Sequence, residues 1–423
     1  MRNSQSAFLI VRYKNMFPSP GFLVYCVCEN DSEQKSTHER KRKDVDLQER
    51  NVAGSMKIIH CADIHLDSKM QSNLDREKAR ERKNELLLTF NRMIAYGADQ
   101  GVRAILIAGD LFDTSTVSAT ARKNVQNAIS SHPDIDFYYL RGNHDTTGFL
   151  EGWDPLPENL HLFEDHWKSY ELKGEKGSVV INGVELDSEN AGSIYHSLIL
   201  DPDRINLVML HGQESVARAK DRTEIISIRD LKGKNIDYLA LGHVHAYKEE
   251  MLDSRGTYCY PGCLEGRGFD ECGPHGFVML DIEEEKGQVH SRFVPFASRC
   301  LYTLPVDVSH CGNTAEILVR VQQELDQKDY DRGSLIKILL TGEVDVECEK
   351  NISYLVQSLQ DRYYFLKIYD ETKLRVDYEA FRYDESLKGE FVRMLQGEES
   401  LTEEERSTMI RYGIQALAGE ELQ

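Results

Sequence analysis

The chain has 423 residues, 40% of them hydrophobic and 29% charged, with a formal net charge of -20. That length exceeds one ordinary domain, and the composition is globular rather than fibrous or wholly disordered. The acidic balance argues against a free-standing binder of duplex DNA, because such binding rests on lysine and arginine neutralising phosphates.

Residues 1–55 open on a mildly apolar stretch broken by Arg12, Lys14 and Pro18, followed by a mixed-charge run over 29–50. The longest apolar stretches there, 7–11 and 22–28, fall far short of the roughly 18 residues needed to span a bilayer. No small-residue cleavage site follows a proper apolar region. The segment therefore reads as a disordered or artefactual N-terminal extension with no membrane role, and Met56, directly before a strong strand, as a plausible true start. Nine cysteines are scattered without paired CxxC spacing, and Cys259, Cys263 and Cys272 lack the partners of a structural zinc site. A reducing cytoplasm is the simplest compartment for such a chain.

From Met56 short apolar runs alternate with helical patterns. Residues 57–62, 104–108, 136–140, 206–210 and 238–241 read as buried strands, and 80–97 and 119–131 as amphipathic helices. The fold class expected over 56–297 is α/β, a layered domain with a β-sheet core flanked by helices. After Pro295 the pattern restarts as strand, helix, strand, helix, strand over 301–308, 314–325, 334–340, 352–363 and 364–370. That predicts a small α/β cap domain over 298–376. A C-terminal helical segment, 377–423, carries two short helices over 386–395 and 402–418. Leu387, Phe391, Met394 and Leu395 recur at helical spacing, as do Met409, Tyr412, Gly413 and Leu417. Such stripes either pack back onto 300–372 or dock a partner.

Five short motifs follow the strands in order: Asp63-Ile64-His65, Gly109-Asp110, Gly142-Asn143-His144-Asp145, His211-Gly212 and Gly242-His243-Val244-His245. If the backbone stays extended, side chains two apart share a face, so Asp63 with His65, and His243 with His245, aim at one volume. Glycines ahead of Asp110, Asn143 and His243 allow sharp turns and close approach. Carboxylate, imidazole and amide oxygen without thiolate suit manganese, iron or a magnesium-like ion. Two divalent ions about 4 Å apart can clamp an in-line displacement at phosphorus. They would also leave a positive pocket on an acidic protein, which attracts phosphodiester anions.

The order and content of these motifs resemble the calcineurin-like metallophosphoesterase superfamily over about residues 56–295. The strings IIHCADIHLDS, AILIAGDLFD, IRDLKGKNIDYLALGHVHAY and YPGCLEGRGFDECGPHGFVML are most similar to SbcD-type DNA repair exonucleases, particularly a YhaO-like branch. The resemblance implies that Asp63, His65, Asp110 and His245 hold one metal ion and Asp110, Asn143, His211 and His243 the other, with Asp110 bridging. It implies that His144 faces the scissile phosphate and protonates the leaving oxygen or stabilises its charge, and Asp145 is expected to orient that ring, as a carboxylate commonly does for histidine. Two divalent ions, manganese by expectation, are the implied cofactors. DNA is the implied substrate, and an SbcC-like coiled-coil ATPase the implied partner of the C-terminal helices. Association of two copies stays open.

Other residues have plainer readings. His60 is expected to pack within its strand, and His161, His166, His196 and His275 to be structural. Asp113 could support a ligand or cap the helix that follows. Arg218, Lys220 and Arg222 read as a solvated charged loop. Arg267, between two glycines, is the candidate substrate-binding residue, since a guanidinium suits bidentate phosphate contacts. The leading function is a metal-dependent DNA exonuclease or endonuclease subunit. The alternatives are a small-nucleotide phosphodiesterase acting alone and a scaffold subunit with a vestigial site.

Overall fold

The computed structural model describes residues 55–70, 74–113, 117–145, 150, 153, 155–215, 224–328 and 330–418. Apart from Ser55, the 1–55 segment lies outside these residues, as do Arg218, Lys220 and Arg222. The chain divides into two compact units that change over between Ser298 and Arg299.

Two six-stranded sheets make the core of the first unit. One runs in the order Gln288–Pro295, Gly276–Glu283, Met56–Cys61, Val102–Ala108, Asp136–Leu140, Leu160–Leu162. The other runs Lys248–Met251, Thr257–Tyr260, Tyr238–Gly242, Ile205–His211, Ser178–Gly183, Lys168–Lys173. Alternation along each strand divides its side chains between two layers. From Met56–Cys61, Ile58 joins Leu106, Tyr138, Ile181, Leu207 and Ala240 in a cluster drawn from both sheets. Ile59 and Cys61 face the other way, onto Leu86, Phe90, Met93 and Ile94 of the helix Arg76–Asp99 and Val125 and Ile129 of the helix Ala119–Ser130. The outer face of the second sheet is covered by Ile194, Leu198, Ile226 and Leu231. The result is the expected layered α/β domain.

The helix starts are fixed locally. Asp75 accepts from the Lys78 amide at 2.8 Å and Ser118 from the Ala121 amide at 3.2 Å, each satisfying a backbone donor that has no partner within its helix. Ser118, rather than Asp113, is thus the cap of the second helix. All five strands read from the sequence in this unit are present, each within two residues of its expected ends. Met56–Cys61, Val102–Ala108 and Asp136–Leu140 are mutually parallel, as are Ile205–His211 and Tyr238–Gly242. Each motif therefore sits where a parallel strand gives way to a loop.

The second unit has a parallel sheet ordered Leu301–Asp307, Leu335–Thr341, Phe365–Asp370. The helices Thr314–Lys328 and Ile352–Leu359 bury Ile317, Val321, Leu325, Leu355 and Leu359 with Leu304, Val306, Ile338 and Ile368 of these strands. Three further helices follow, Tyr378–Phe381, Leu387–Gln396 and Glu403–Ala418. They bury Phe381, Val392, Ile410 and Ile414 together with Val346 and Val376. The stripe read from the sequence divides: Leu395 packs against this cluster and Phe391 lies against Gly413, whereas Leu387, Met394, Met409, Tyr412 and Leu417 stay exposed.

Seven described cysteines are free thiols. Among the described residues no helix is long and apolar enough to cross a membrane.

His60 is fully buried between the sheets with Nδ1 2.9 Å from the Tyr238 hydroxyl. Burial outweighs its hydrogen bond with the Leu241 backbone and lowers the ring's pKa to about 3. The folded chain therefore keeps His60 neutral where the unfolded chain takes up a proton. Its contribution is fully present above about pH 6.5 and is lost as pH falls below that value, on the order of a few kcal/mol when complete. His60→Leu should accordingly flatten the acid limb of a stability-against-pH curve between pH 6.5 and 4. An unchanged slope in chemical denaturation would contradict the assignment.

Candidate metal centre

Past Cys61 the chain leaves the sheet and runs beside the loop after Ala108. The Asp63 amide donates to the Gly109 carbonyl at 3.1 Å, that of His65 to Asp110 at 2.9 Å, and that of Leu66 to Leu111 at 2.9 Å. Asp63, His65 and Asp110 have φ of 49°, 49° and 50°, and His243 has φ of 100°. These are left-handed conformations that side chains other than glycine seldom adopt, each costing about 1–3 kcal/mol. The period-two argument for Asp63 and His65 therefore fails in its premise although the residues do converge: a loop in strained conformation, not extended backbone, brings them together.

Glycine makes the approach of the loops possible. A Cβ on Gly142 would lie 2.2 Å from Asp110 Oδ1 and 2.5 Å from the Asp110 amide nitrogen, and one on Gly242 would lie 1.9 Å from the Ala108 carbonyl.

The candidate ligands gather in two overlapping groups. One oxygen or nitrogen from each of Asp63, His65 and His245 lies within 4.8 Å of the others, and the same holds for Asp63, Asp110 and His211. Asn143 joins the second group, with Oδ1 3.0 Å from His211 Nε2 and 3.4 Å from His243 Nδ1. Asp110 Oδ2 lies between the groups, 3.8 Å from His65 Nε2 and 3.5 Å from His211 Nε2. The structure thus brings Asp63, His65, Asp110, Asn143, His211, His243 and His245 into one small volume.

Two of the rings are set from outside by hydrogen bonds, Nδ1 of His211 2.9 Å from the Ala108 carbonyl and Nδ1 of His245 2.6 Å from Glu271. Nδ1 of His65 lies 3.1 Å from Asp113 but is not aligned to hydrogen-bond with it. When Nδ1 carries the proton to such an acceptor, Nε2 is left as a lone pair. The Nε2 atoms of His65 and His245 are 3.2 Å apart. Two lone pairs at that spacing repel unless a proton or a cation lies between them, and carboxylate and imidazole donors gathered this closely fit a metal.

The electrostatics say the same. Burial, only partly offset by His211 and His245, raises the pKa of Asp63 to about 6. Burial also opposes ionisation of Asp110, but the hydrogen bond to His211 and the surrounding imidazoles hold it at about 2. The His211 ring, disfavoured as a cation by burial, is raised to about 9 by Asp110 and Asp63. Protein groups alone neutralise this pocket only by taking up protons, which divalent ions would displace.

Two expectations need correction. Asp145 does not orient the His144 ring: its buried carboxylate accepts from the amides of Leu111 at 3.2 Å, Phe112 at 2.9 Å and Gly142 at 3.0 Å, tying two ligand loops together. The carboxylate nearer His144 is Asp113, 3.9 Å from Nδ1. Arg267 is not a free phosphate clamp, because its guanidinium is already held by Asp113 at 3.0 Å and Glu271 at 2.9 Å. Sequence reasoning missed Glu271 altogether. The one available signal was an acid four residues after Arg267 inside a glycine-rich loop.

His144 sits at the rim with a half-exposed ring, 5.2 Å edge-on from the His65 ring, and its amide donates to Asp110 Oδ1 at 2.9 Å. His161 pairs with Asp136 at 3.0 Å and His166 with Asp165 at 2.9 Å. His275 is buried between Cys263 and the Glu271 carbonyl. None of these three belongs to the cluster.

The calcineurin-like phosphoesterase family matches residues 56–247. Over 301 residues the chain is 28% identical to the uncharacterized metallophosphoesterase YhaO of Bacillus subtilis, covering 67% of this chain and 71% of that one. It is 24% identical over 263 residues to the DNA double-strand break repair protein Mre11 of Methanosarcina acetivorans, covering 60% of this chain and 41% of that one. It is 22% identical over 325 residues to the Mre11 of Sulfolobus acidocaldarius, covering 74% and 82%. The chain thus spans less than half the length of the Methanosarcina relative.

Gly142→Ala removes no ligand but forces a methyl group against Asp110. It should leave the fold intact while lowering divalent metal bound per chain, and hydrolysis of a chromogenic phosphoester should fall on the order of 10²-fold, as for a misplacement of about 1 Å. Full metal content and full activity in that variant would show that the loops do not need this close approach.

Proposed function

Because the chain belongs to the calcineurin-like phosphoesterases, hydrolases acting on phosphoester bonds, we propose that it is a manganese-dependent DNA nuclease subunit working with an SbcC-like coiled-coil ATPase. The observation that carries this reading is the convergence of Asp63, His65, Asp110, Asn143, His211, His243 and His245 at one site. In the proposed assignment Asp63, His65, Asp110 and His245 hold one ion, and Asp110, Asn143, His211 and His243 the other. Two divalent ions there would supply an activated water and neutralise charge on the phosphoryl oxygens.

The remaining chemistry falls to protein groups. His144 is close enough to the cluster to meet a bound phosphodiester and exposed enough to exchange its proton with solvent, so it is assigned to protonating the leaving oxygen. Its backbone holds the bridging carboxylate through the Asp110 hydrogen bond, so a side-chain change leaves that contact in place. DNA as substrate is supported by the likeness to proteins named for double-strand break repair, and a cytoplasmic location by the free thiols.

A second reading, a small-nucleotide phosphodiesterase, has one observation in its favour. The cleft beside Asn143 and His211 is lined by Arg141, Asp165, Glu185, Asp187 and Glu224. Arg141 is spent on Glu185, which leaves that wall acidic and poorly suited to a long polyanion. Manganese-dependent cleavage of linear DNA, compared with a chromogenic phosphodiester and with and without the ATPase, separates the two readings.

His144→Asn should keep both ions yet lose about 10²–10⁴-fold in cleavage, the range for loss of a general acid. Loss of an ion on metal analysis would make His144 a ligand instead. For partner docking the exposed positions are the discriminating ones, because truncation after Asp384 would also uncover Val346, Val376 and Phe381. Leu387→Asp with Met394→Asp should abolish co-purification with the ATPase while leaving hydrolysis of the small diester unchanged. Undiminished association would move the docking surface elsewhere.

A further inference from the structure

The connection between Thr257–Tyr260 of the second sheet and Gly276–Glu283 of the first contains no helix or strand, yet Cys263, Leu264, Glu265, Glu271 and His275 within it are buried. A loop of that length without secondary structure is usually functional, and a buried one must find partners for its polar groups. One part of it is held by the helix Arg76–Asp99. The fully buried Glu265 carboxylate accepts from Thr89 Oγ1 at 2.6 Å and from the Ser298 amide at 2.5 Å, and it faces the Arg82 guanidinium at 3.4 Å. Arg82, itself fully buried, also donates to the Gly266 carbonyl at 2.7 Å and to Glu85. Leu86, Phe90, Met93 and Ile94 anchor the same helix in the core, so it is a fixed support.

From that anchor the chain leads directly to the metal centre. Arg267 follows Gly266, and its amide and guanidinium hold the two oxygens of Glu271 at 2.7 and 2.9 Å. Glu271 Oε1 meets Nδ1 of His245 at 2.6 Å. The Glu271 backbone is set from another side, by His275 Nε2 2.8 Å from its carbonyl, whereas Arg267 directs its carboxylate. A buried ion pair is a poor source of stability, since apolar side chains of similar volume do as well or better. What a satisfied buried network adds is a single fixed arrangement. We therefore infer that Arg82 and Glu265 are positioning residues for the metal centre: by latching Glu265 and Gly266 to the helix they place Arg267, which directs Glu271 onto the ring of His245. The inference rests on His245 being a metal ligand, as assigned above, and is independent of the substrate. It also gives the engaged Arg267 side chain a role that does not require it to meet phosphate.

The test is a double-mutant cycle read as manganese affinity, by calorimetric titration of the chelator-stripped full-length protein, with thermal melting of the same metal-free samples. Arg82→Met with Glu265→Leu replaces the latch by apolar side chains, so the melting temperature should hold or rise. Manganese binding should nevertheless weaken about 10–100-fold, the range for losing the partner of a ligating imidazole. Glu271→Gln should weaken it within the same range. Adding the latch substitutions to Glu271→Gln should cost little more, because both act through one hydrogen bond. Arg82→Lys keeps the charge but loses the fork that reaches both Glu265 and the Gly266 carbonyl. It should give a smaller loss that is likewise absent in the Glu271→Gln background, and it decides the matter if the apolar pair does not fold. A folded latch variant with wild-type manganese affinity, or a loss that adds in full to that of Glu271→Gln, would overturn the inference. A wild type that binds no manganese would overturn the underlying site assignment with it.

Discussion

Two carboxylates, Asp63 and Asp110, are buried side by side at the ends of parallel strands, and most of what is distinctive in the first unit serves that arrangement. Burying a charge without a partner is among the costliest things a fold can do. The chain meets the cost with imidazoles turned Nε2-inward and with backbone donors: both oxygens of Asp63 accept from the His243 amide at 2.9 Å, and Asp110 accepts from the His144 amide. What the protein groups leave unbalanced is what divalent cations balance best. The strained backbone at Asp63, His65, Asp110 and His243 belongs to the same account, since it persists only because the two sheets fix the loops on either side.

Much of this was legible in the amino-acid sequence. The metal motifs are short, ordered and local, so their residues could be named before any geometry was known. Stretches such as 137–140 and 238–241 are apolar throughout, and their burial followed from that pattern. The strands at 160–162, 168–173, 178–183, 248–251, 257–260, 276–283 and 288–295 were not read. They complete the two sheets, and several are short or strongly polar, so their pairing is decided by neighbours in the sheet rather than by their own pattern.

Residues that act through a neighbour were the harder class. Glu271 lies 26 positions from His245, and Asp145 34 positions from Leu111, so nothing local in the sequence marks the contact. Asp145 was placed on the wrong partner for that reason: adjacency to His144 suggested an imidazole partner, whereas the loop turns the carboxylate onto three amides. Arg267 was misread for a related one. A guanidinium between two glycines looks available to phosphate until the loop closes and Asp113 and Glu271 occupy it. The C-terminal helices show the same limit, because spacing reveals that a helix has an apolar stripe but not which of its positions turn inward.

The claim on which everything else depends is that these side chains hold two ions, with Asp110 between them. Anomalous diffraction from crystals grown with manganese tests it most directly. The account predicts two peaks about 3.5–4 Å apart, as in other two-metal sites: one against Nε2 of His65 and His245, the other against Asn143 Oδ1 and His211 Nε2, with the Asp110 carboxylate touching both. A single peak, or peaks away from these atoms, would contradict it.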